Sequence, residues 1–72
     1  MTEEKFYAFR VGSLDYPRGI SRPYGTREQA VLNQRATRAG GTPVGRIRKA
    51  TVAEIEAAHD SILGRGILPR GW

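Results

Sequence analysis

The chain has 72 residues, with 12 Lys and Arg against 7 Asp and Glu, and no cysteine. A chain of this length has room for one hydrophobic core, so we expect a single domain over residues 1–72. The absence of cysteine excludes disulfide bonds and thiolate metal sites. Stability must then come from packing, helix caps or a partner, and a homo-oligomer is a reasonable expectation.

The net charge of +5 favours an anionic partner such as nucleic acid or an acidic protein. Ten of the twelve cations are arginine, which suits bidentate phosphate and carboxylate contacts, although a GC-rich genome produces the same bias. The polar start lacks a signal peptide's apolar run, and no stretch approaches the roughly 20 apolar residues that span a bilayer. We therefore expect a cytoplasmic protein without a membrane partner.

Residues 5–11 are rich in aromatic and β-branched side chains. In an extended chain Tyr7, Phe9 and Val11 lie on one face, and the residues between them lie on the other. This pattern predicts a strand that is buried on both sides. The glycines and prolines of residues 12–25 then predict a turn-rich connection, in which residues 20–24 can add a short edge strand.

The first helix is predicted over residues 27–39. Thr26 and Gln29 have the spacing of a capping box, in which a hydroxyl accepts a hydrogen bond from the amide three residues later. Gly40 and Gly41 supply the C-terminal cap.

A second strand is predicted over residues 44–50, with an unusual cationic face. Thr51 and Glu54 form a second capping box, and the helix that follows should stop at Gly64. The remaining residues, 65–72, form an irregular tail that is both apolar and basic.

The order strand, loop, helix, strand, helix predicts an α+β fold: a small open sandwich of two or three strands with two helices on one face. If the two main strands pair around the first helix, they run parallel and their crossover is right-handed.

Four segments carry a resemblance: KFYAFRVG, YGTREQA, GGTPVGRIRK and ATVAEIEAA. Together they resemble small uncharacterised accessory proteins encoded by actinobacterial phages, over about residues 5–58. The shared motifs are structural, so no family function comes with them. The resemblance implies a phage-borne accessory protein that acts inside a bacterial host cell, and many such proteins bind a host protein.

No residue pattern indicates catalysis. His59 is the only imidazole, and its neighbour Asp60 points about 100° away on a helix, so the two do not form a catalytic dyad. One histidine and scattered carboxylates give no metal-ligand cluster, and no phosphate loop occurs. We therefore expect a protein that is not an enzyme and has no catalytic residues, no cofactor and no metal.

The leading functional hypothesis is a protein that binds and modulates a bacterial host protein, since Trp, Tyr and Arg often anchor interfaces. Its predicted contact residues are Tyr16, Ile20, Tyr24, Ile67, Leu68 and Trp72. The alternative is a small basic nucleic-acid-binding protein. Its predicted contact residues are Arg27, Arg35, Arg38, Arg46, Arg48 and Lys49. A phage structural or assembly component is a third hypothesis.

Overall fold

The computed structural model describes residues 4–13, 15–65 and 72 of the protein. Three strands and two helices follow one another along the chain: β1 (Lys5–Gly12), β2 (Pro17–Ile20), α1 (Arg27–Ala39), β3 (Val44–Thr51) and α2 (Val52–Arg65). The predicted α+β class is confirmed, with three strands and two helices. Neither helix combines the length and the apolar composition that crossing a membrane requires.

The sheet has the order β2-β1-β3, and both outer strands run antiparallel to the central β1. The parallel pairing considered for the two main strands is therefore wrong. The chain turns back after β1 to form β2. Helix α1 then connects β2 to β3 on the far side of β1, so β3 runs parallel to β2 and antiparallel to β1. The edge strand begins earlier than the predicted residues 20–24, and Tyr24 only forms an isolated bridge with Tyr7.

The helices, expected on one face, pack against opposite faces of the sheet. Ala8 and Phe9 are neighbours in β1 and therefore point to opposite faces, yet they are 0% and 1% exposed. Both faces must then be covered. On the face of Ala8, α2 packs against the sheet, and the buried cluster there comprises Ala8, Ile20, Ala50, Ile55, Ala58 and Ile62. On the face of Phe9, α1 lies over β1 and β3 and buries Ala30.

Local capping explains the helix bounds. The Thr26 hydroxyl accepts from the Gln29 amide at 3.2 Å, and the Gly40 amide donates to the Ala36 carbonyl at 3.1 Å. These two bonds satisfy groups at the two ends of α1, which spans the predicted residues. The second capping box is complete, because Glu54 N–H donates to the Thr51 hydroxyl at 3.2 Å and the Glu54 carboxylate accepts from Thr51 N–H at 3.2 Å.

Candidate functional site

A groove of about 700 Å³ runs along the outer edge of β3, with α1 on one face of the sheet and Trp72 on the other. Its lining is strongly cationic, and no described residue contributes a carboxylate side chain to it. The polar and aromatic side chains in it are Arg10, Gln34, Arg38, Arg46, Arg48 and Trp72. Among the described residues, only arginine contributes charged side chains to this groove, which favours an anion there.

A β-bulge brings arginines from two strands to this groove. Phe9 pairs with Ile47, and Val11 pairs with Val44, so the single residue Arg10 opposes two residues of β3. A bulge of this kind bends the strand and redirects the side chains beside it. The two residues on the bulged strand are Gly45 and Arg46.

Gly45 makes room for the Arg10 side chain. A Cβ atom on Gly45 would stand 2.9 Å from the Arg10 Cβ and 3.4 Å from its Nε. Because the glycine lacks that atom, the Arg10 side chain can lie against the β3 backbone. Its Nε is buried and has no hydrogen-bond partner among the described residues. A buried donor without an acceptor is costly, so this atom favours a ligand that supplies one.

Trp72 orders one arginine of the groove. The Arg48 guanidinium carbon lies 5.0 Å from the centre of the Trp72 ring, a distance typical of a cation–π contact. The ring itself is half-buried and packs against the cluster beneath α2. The Arg48 guanidinium is thereby held at the groove wall, while Arg46, two residues earlier in β3, is exposed.

The other wall comes from α1. The Gln34 Nε2 donates to the Gly45 carbonyl at 2.7 Å, which ties the helix to the bulge at the edge of the sheet. Arg38 lies one helical turn further along and lines the same groove. The helix therefore contributes a cation and at the same time fixes the position of the strand that carries the others.

The free edge of β3 also presents backbone groups. Tyr7 exchanges both of its backbone hydrogen bonds with Tyr24, at 2.9 Å each, so its N–H and C=O point toward β2. Lys49 opposes Tyr7 and Ile47 opposes Phe9, so in an antiparallel ladder their N–H and C=O groups point away from β1. Ile47 lines the groove, and its outward donor and acceptor lie beside the arginines.

The structure brings together only part of the predicted nucleic-acid set. Arg38, Arg46 and Arg48 share the groove, whereas Arg27 and Arg35 lie on another surface of α1. Lys49 does not line the groove; it lies on the face of β3 opposite to Arg48, with its ammonium group 5.7 Å from the centre of the Tyr7 ring. Sequence reasoning missed Arg10, because strand alternation assigned it to a buried face and the bulge has no simple sequence signal.

The described members of the predicted protein-binding set do not form one surface. Ile20 is 8% exposed and belongs to the cluster beneath α2, so it contributes to the core instead of a contact surface. The Tyr24 ring stacks on Phe9 with ring centres 6.2 Å apart and an interplanar angle of 6°. Tyr16 is 79% exposed and Trp72 is half-buried in the groove. The two remaining members, Ile67 and Leu68, lie outside the described residues.

His59 has a structural position. Its Nδ1 accepts a hydrogen bond from the Ile20 N–H at 3.2 Å, and its ring lies directly over Gly19. Nδ1 can accept only when the ring hydrogen is on Nε2, which assigns the tautomer from the hydrogen bond. Among the described residues, no group of three or more His, Cys, Asp or Glu side chains is placed to hold a metal ion.

The capping carboxylate of Glu54 is an acid that Arg48 influences. The pKa of Glu54 is lowered from its ordinary value of 4.5, first by the hydrogen bonds from the Thr51 backbone and hydroxyl. Lys5 and Arg48 lower it further through their charges. Glu54 therefore serves the N-terminus of α2 and does not line the groove.

Comparison with protein families, with curated proteins and with solved structures finds no match for this chain.

Proposed function

We propose that this protein binds nucleic acid, and that the groove beside β3 is the binding surface. The observation that carries the proposal is the convergence of four arginines, Arg10, Arg38, Arg46 and Arg48, in a concave site with no carboxylate side chain in its lining. Three of them come from the neighbouring strands β1 and β3, where the bulge places Arg10 opposite Gly45 and Arg46, and the fourth, Arg38, comes from α1.

Phosphate is the ligand group that fits these side chains. A guanidinium offers a planar fork of donors that matches two phosphate oxygens, and such charge-assisted bonds are stronger than neutral ones. A concave wall of one charge also concentrates the electrostatic potential. A polyanion that passes several phosphates along the β3 edge contacts several arginines at once.

The hypothesis of a host-protein partner has less support. Ile20 and Tyr24 already make contacts inside the domain, so their side chains do not form a continuous patch with Tyr16. A phage assembly component has no specific contact in its favour. As part of the present proposal the protein acts in the cytoplasm of a bacterial host, which is the setting that the resemblance to phage accessory proteins implies.

The test compares two double variants of equal charge. Arg46→Ala with Arg48→Ala removes two cations from the groove, and Arg27→Ala with Arg35→Ala removes two from another surface of α1. Both lower the net charge from +5 to +3. Affinity for a labelled oligonucleotide is measured by fluorescence anisotropy over a salt series. The groove variant should bind at least tenfold more weakly, with a salt slope reduced by about 1.4, at about 0.7 per phosphate contact on a single strand.

The control variant should retain most of the affinity and should unfold within about 0.5 kcal/mol of the parent, because Arg27 and Arg35 are exposed. The groove variant should lose up to about 1 kcal/mol more, because Arg48 is half-buried and contacts the Trp72 ring. Equal loss of affinity in both variants would mean that only net charge matters. That result, or no binding by the parent chain, would refute the groove as the nucleic-acid site.

A further inference from the structure

We infer that the groove accepts a single-stranded segment, with an unpaired base on the Arg48 guanidinium that Trp72 supports, beside the edge of β3, and its flanking phosphates on the other arginines. The inference rests on the proposed function and goes further, because phosphate contacts alone do not distinguish a single strand from a duplex. Three features of the groove favour the single strand: its concavity, its guanidinium–indole pair, and backbone groups at the β3 edge that no described residue bonds.

The shape of the site argues against a duplex. Proteins read duplex DNA by inserting a helix or a β-ribbon into one of its grooves, so the protein element must protrude. Here the arginines lie inside a concavity of about 700 Å³, between α1 on one side and Trp72 on the other. A flexible strand can follow such a site with its backbone and reach Arg10 and Arg48, whereas a rigid duplex would contact mainly the exposed Arg38 and Arg46.

The aromatic ring supplies the second argument. Unpaired bases are commonly held by stacking on aromatic rings or on the plane of a guanidinium group. The Arg48 guanidinium lies over the Trp72 ring, with 5.0 Å between its carbon and the ring centre, so a base stacks on the outer face of the guanidinium with the indole behind it. The two side chains already hold each other in place without a ligand, so little side-chain conformational entropy is lost when a base binds.

The third argument is the edge of β3. The N–H and C=O of Ile47 point away from β1 into the side of the strand that lines the groove. A neighbouring donor and acceptor match the hydrogen-bonding edge of an unpaired base, which in a duplex is already used by the partner base. Gln34 donates a hydrogen bond to the nearby Gly45 carbonyl. Beside the bulge, the outward N–H and C=O of Ile47 form no hydrogen bond with a described residue.

The experiment uses three probes of equal length: a single-stranded oligonucleotide, the same sequence as a duplex, and a single strand with abasic sites. The abasic strand keeps the phosphates and loses the bases. Trp72 is the only tryptophan of the chain, so its fluorescence reports on the groove directly. The intact single strand should bind about tenfold more tightly than the duplex or the abasic strand and should quench Trp72, which neither of the others does to the same extent.

The matched variant is Trp72→Leu, which keeps an apolar side chain against the cluster beneath α2 and removes the ring that supports the Arg48 guanidinium. Its affinity for the intact single strand should fall about tenfold, while its affinity for the abasic strand should fall much less, because Arg48 keeps its charge and loses only its ordered position. Cooperative thermal unfolding of the variant shows that the fold is intact. If Trp72→Leu fails to fold, the comparison of probes on the parent chain still decides the question.

Duplex binding equal to or tighter than single-strand binding would overturn the inference and leave the proposed function in place. The same conclusion follows if the abasic strand binds as well as the intact one and quenches Trp72 equally. If none of the three probes binds, the proposed function fails, and the inference fails with it.

Discussion

The two edges of the sheet have opposite chemistry. At the β2 edge, the outward Ile20 N–H is taken by the His59 Nδ1, and the imidazole ring covers Gly19. At the β3 edge, the outward groups of Ile47 lie in a groove lined by arginines. One edge is closed by a side chain from α2, and the other is left accessible to a ligand.

This contrast shows how a small domain separates stability from binding. An exposed strand edge is a site where another chain or a ligand can attach, and proteins either cover such edges or place charges on them. Here α2 crosses the sheet and contacts β2 most extensively, so the covered edge belongs to the core. The β3 edge carries cations and a bulge, and no described residue bonds the outward N–H and C=O of Ile47.

The largest effect is expected from Gly19→Ala, which forces the closed edge open. Gly19 has φ +135°, a conformation that L side chains rarely adopt, and an added Cβ would lie 2.5 Å from two atoms of the His59 ring. Backbone strain and steric overlap together should lower the free energy of unfolding by about 3 kcal/mol. Chemical denaturation measures the change.

The control for Gly19→Ala is Gly25→Ala, because a Cβ at Gly25 meets nothing within 4 Å and no unusual φ is involved. Its stability should stay within about 0.5 kcal/mol of the parent. Equal stability of the two variants would contradict the close packing of His59 on β2.

The next effect is expected from His59→Ala, which removes the acceptor but leaves the strand in place. The Ile20 N–H then lacks its partner in a largely buried position, which should cost about 2 kcal/mol. Amide hydrogen exchange at Ile20 should accelerate more than exchange at the β1 amides that bond to β3. His59→Asn, whose side-chain oxygen can accept at a similar position, should recover part of the loss. An unchanged Ile20 exchange rate in His59→Ala would refute the edge closure.

The smallest effect is expected from Thr51→Ala, at the junction between the open edge and α2. The substitution removes the hydroxyl that accepts from Glu54 N–H and should cost about 1 kcal/mol in thermal or chemical unfolding. Nucleic-acid affinity should hardly change, since Thr51 does not line the groove. A large loss of affinity would show that the junction and the groove are coupled.

The same capping box has a pH dependence. Because folding lowers the pKa of Glu54, its ionised form adds stability above the pKa of the unfolded chain, and this contribution is lost as the pH falls through the lower folded value. Glu54→Gln keeps a side-chain acceptor without the charge. The parent should therefore lose more stability than Glu54→Gln between neutral and strongly acidic pH. Parallel pH profiles would contradict the assignment.

Local signals in the sequence predicted the helices well. Thr26 and Gly40 cap the two ends of α1, and Thr51 caps the start of α2. These caps could be predicted because each depends only on residues a few positions apart. Strand pairing depends on contacts that are distant in sequence, so the antiparallel order was not accessible from local patterns. β2 lies earlier in the chain than predicted for a related reason. His59, which is 39 residues further along the chain than Ile20, holds the Gly19–Ile20 segment in place.

The candidate site was predicted only in part. The cations of β3 and Arg38 were identified from composition and alternation, but their meeting point depends on where the bulge falls. Arg10 looked like part of a buried strand face, and only the missing Cβ of Gly45 lets its side chain reach the groove. A two-residue alternation cannot show such an extra residue, since the pattern assumes regular pairing throughout.

The positive charge along β3 also has a consequence for the behaviour of many copies together. Two such edges brought into register would place guanidinium groups opposite one another, and like charges directly across a strand pair are destabilising. The exposed edge therefore disfavours the edge-to-edge pairing of sheets that begins fibrous aggregation. Replacing these arginines with uncharged residues of high β-propensity would make the edge strand more prone to aggregation. The protein would then precipitate at high concentration, although the folded monomer would be unchanged.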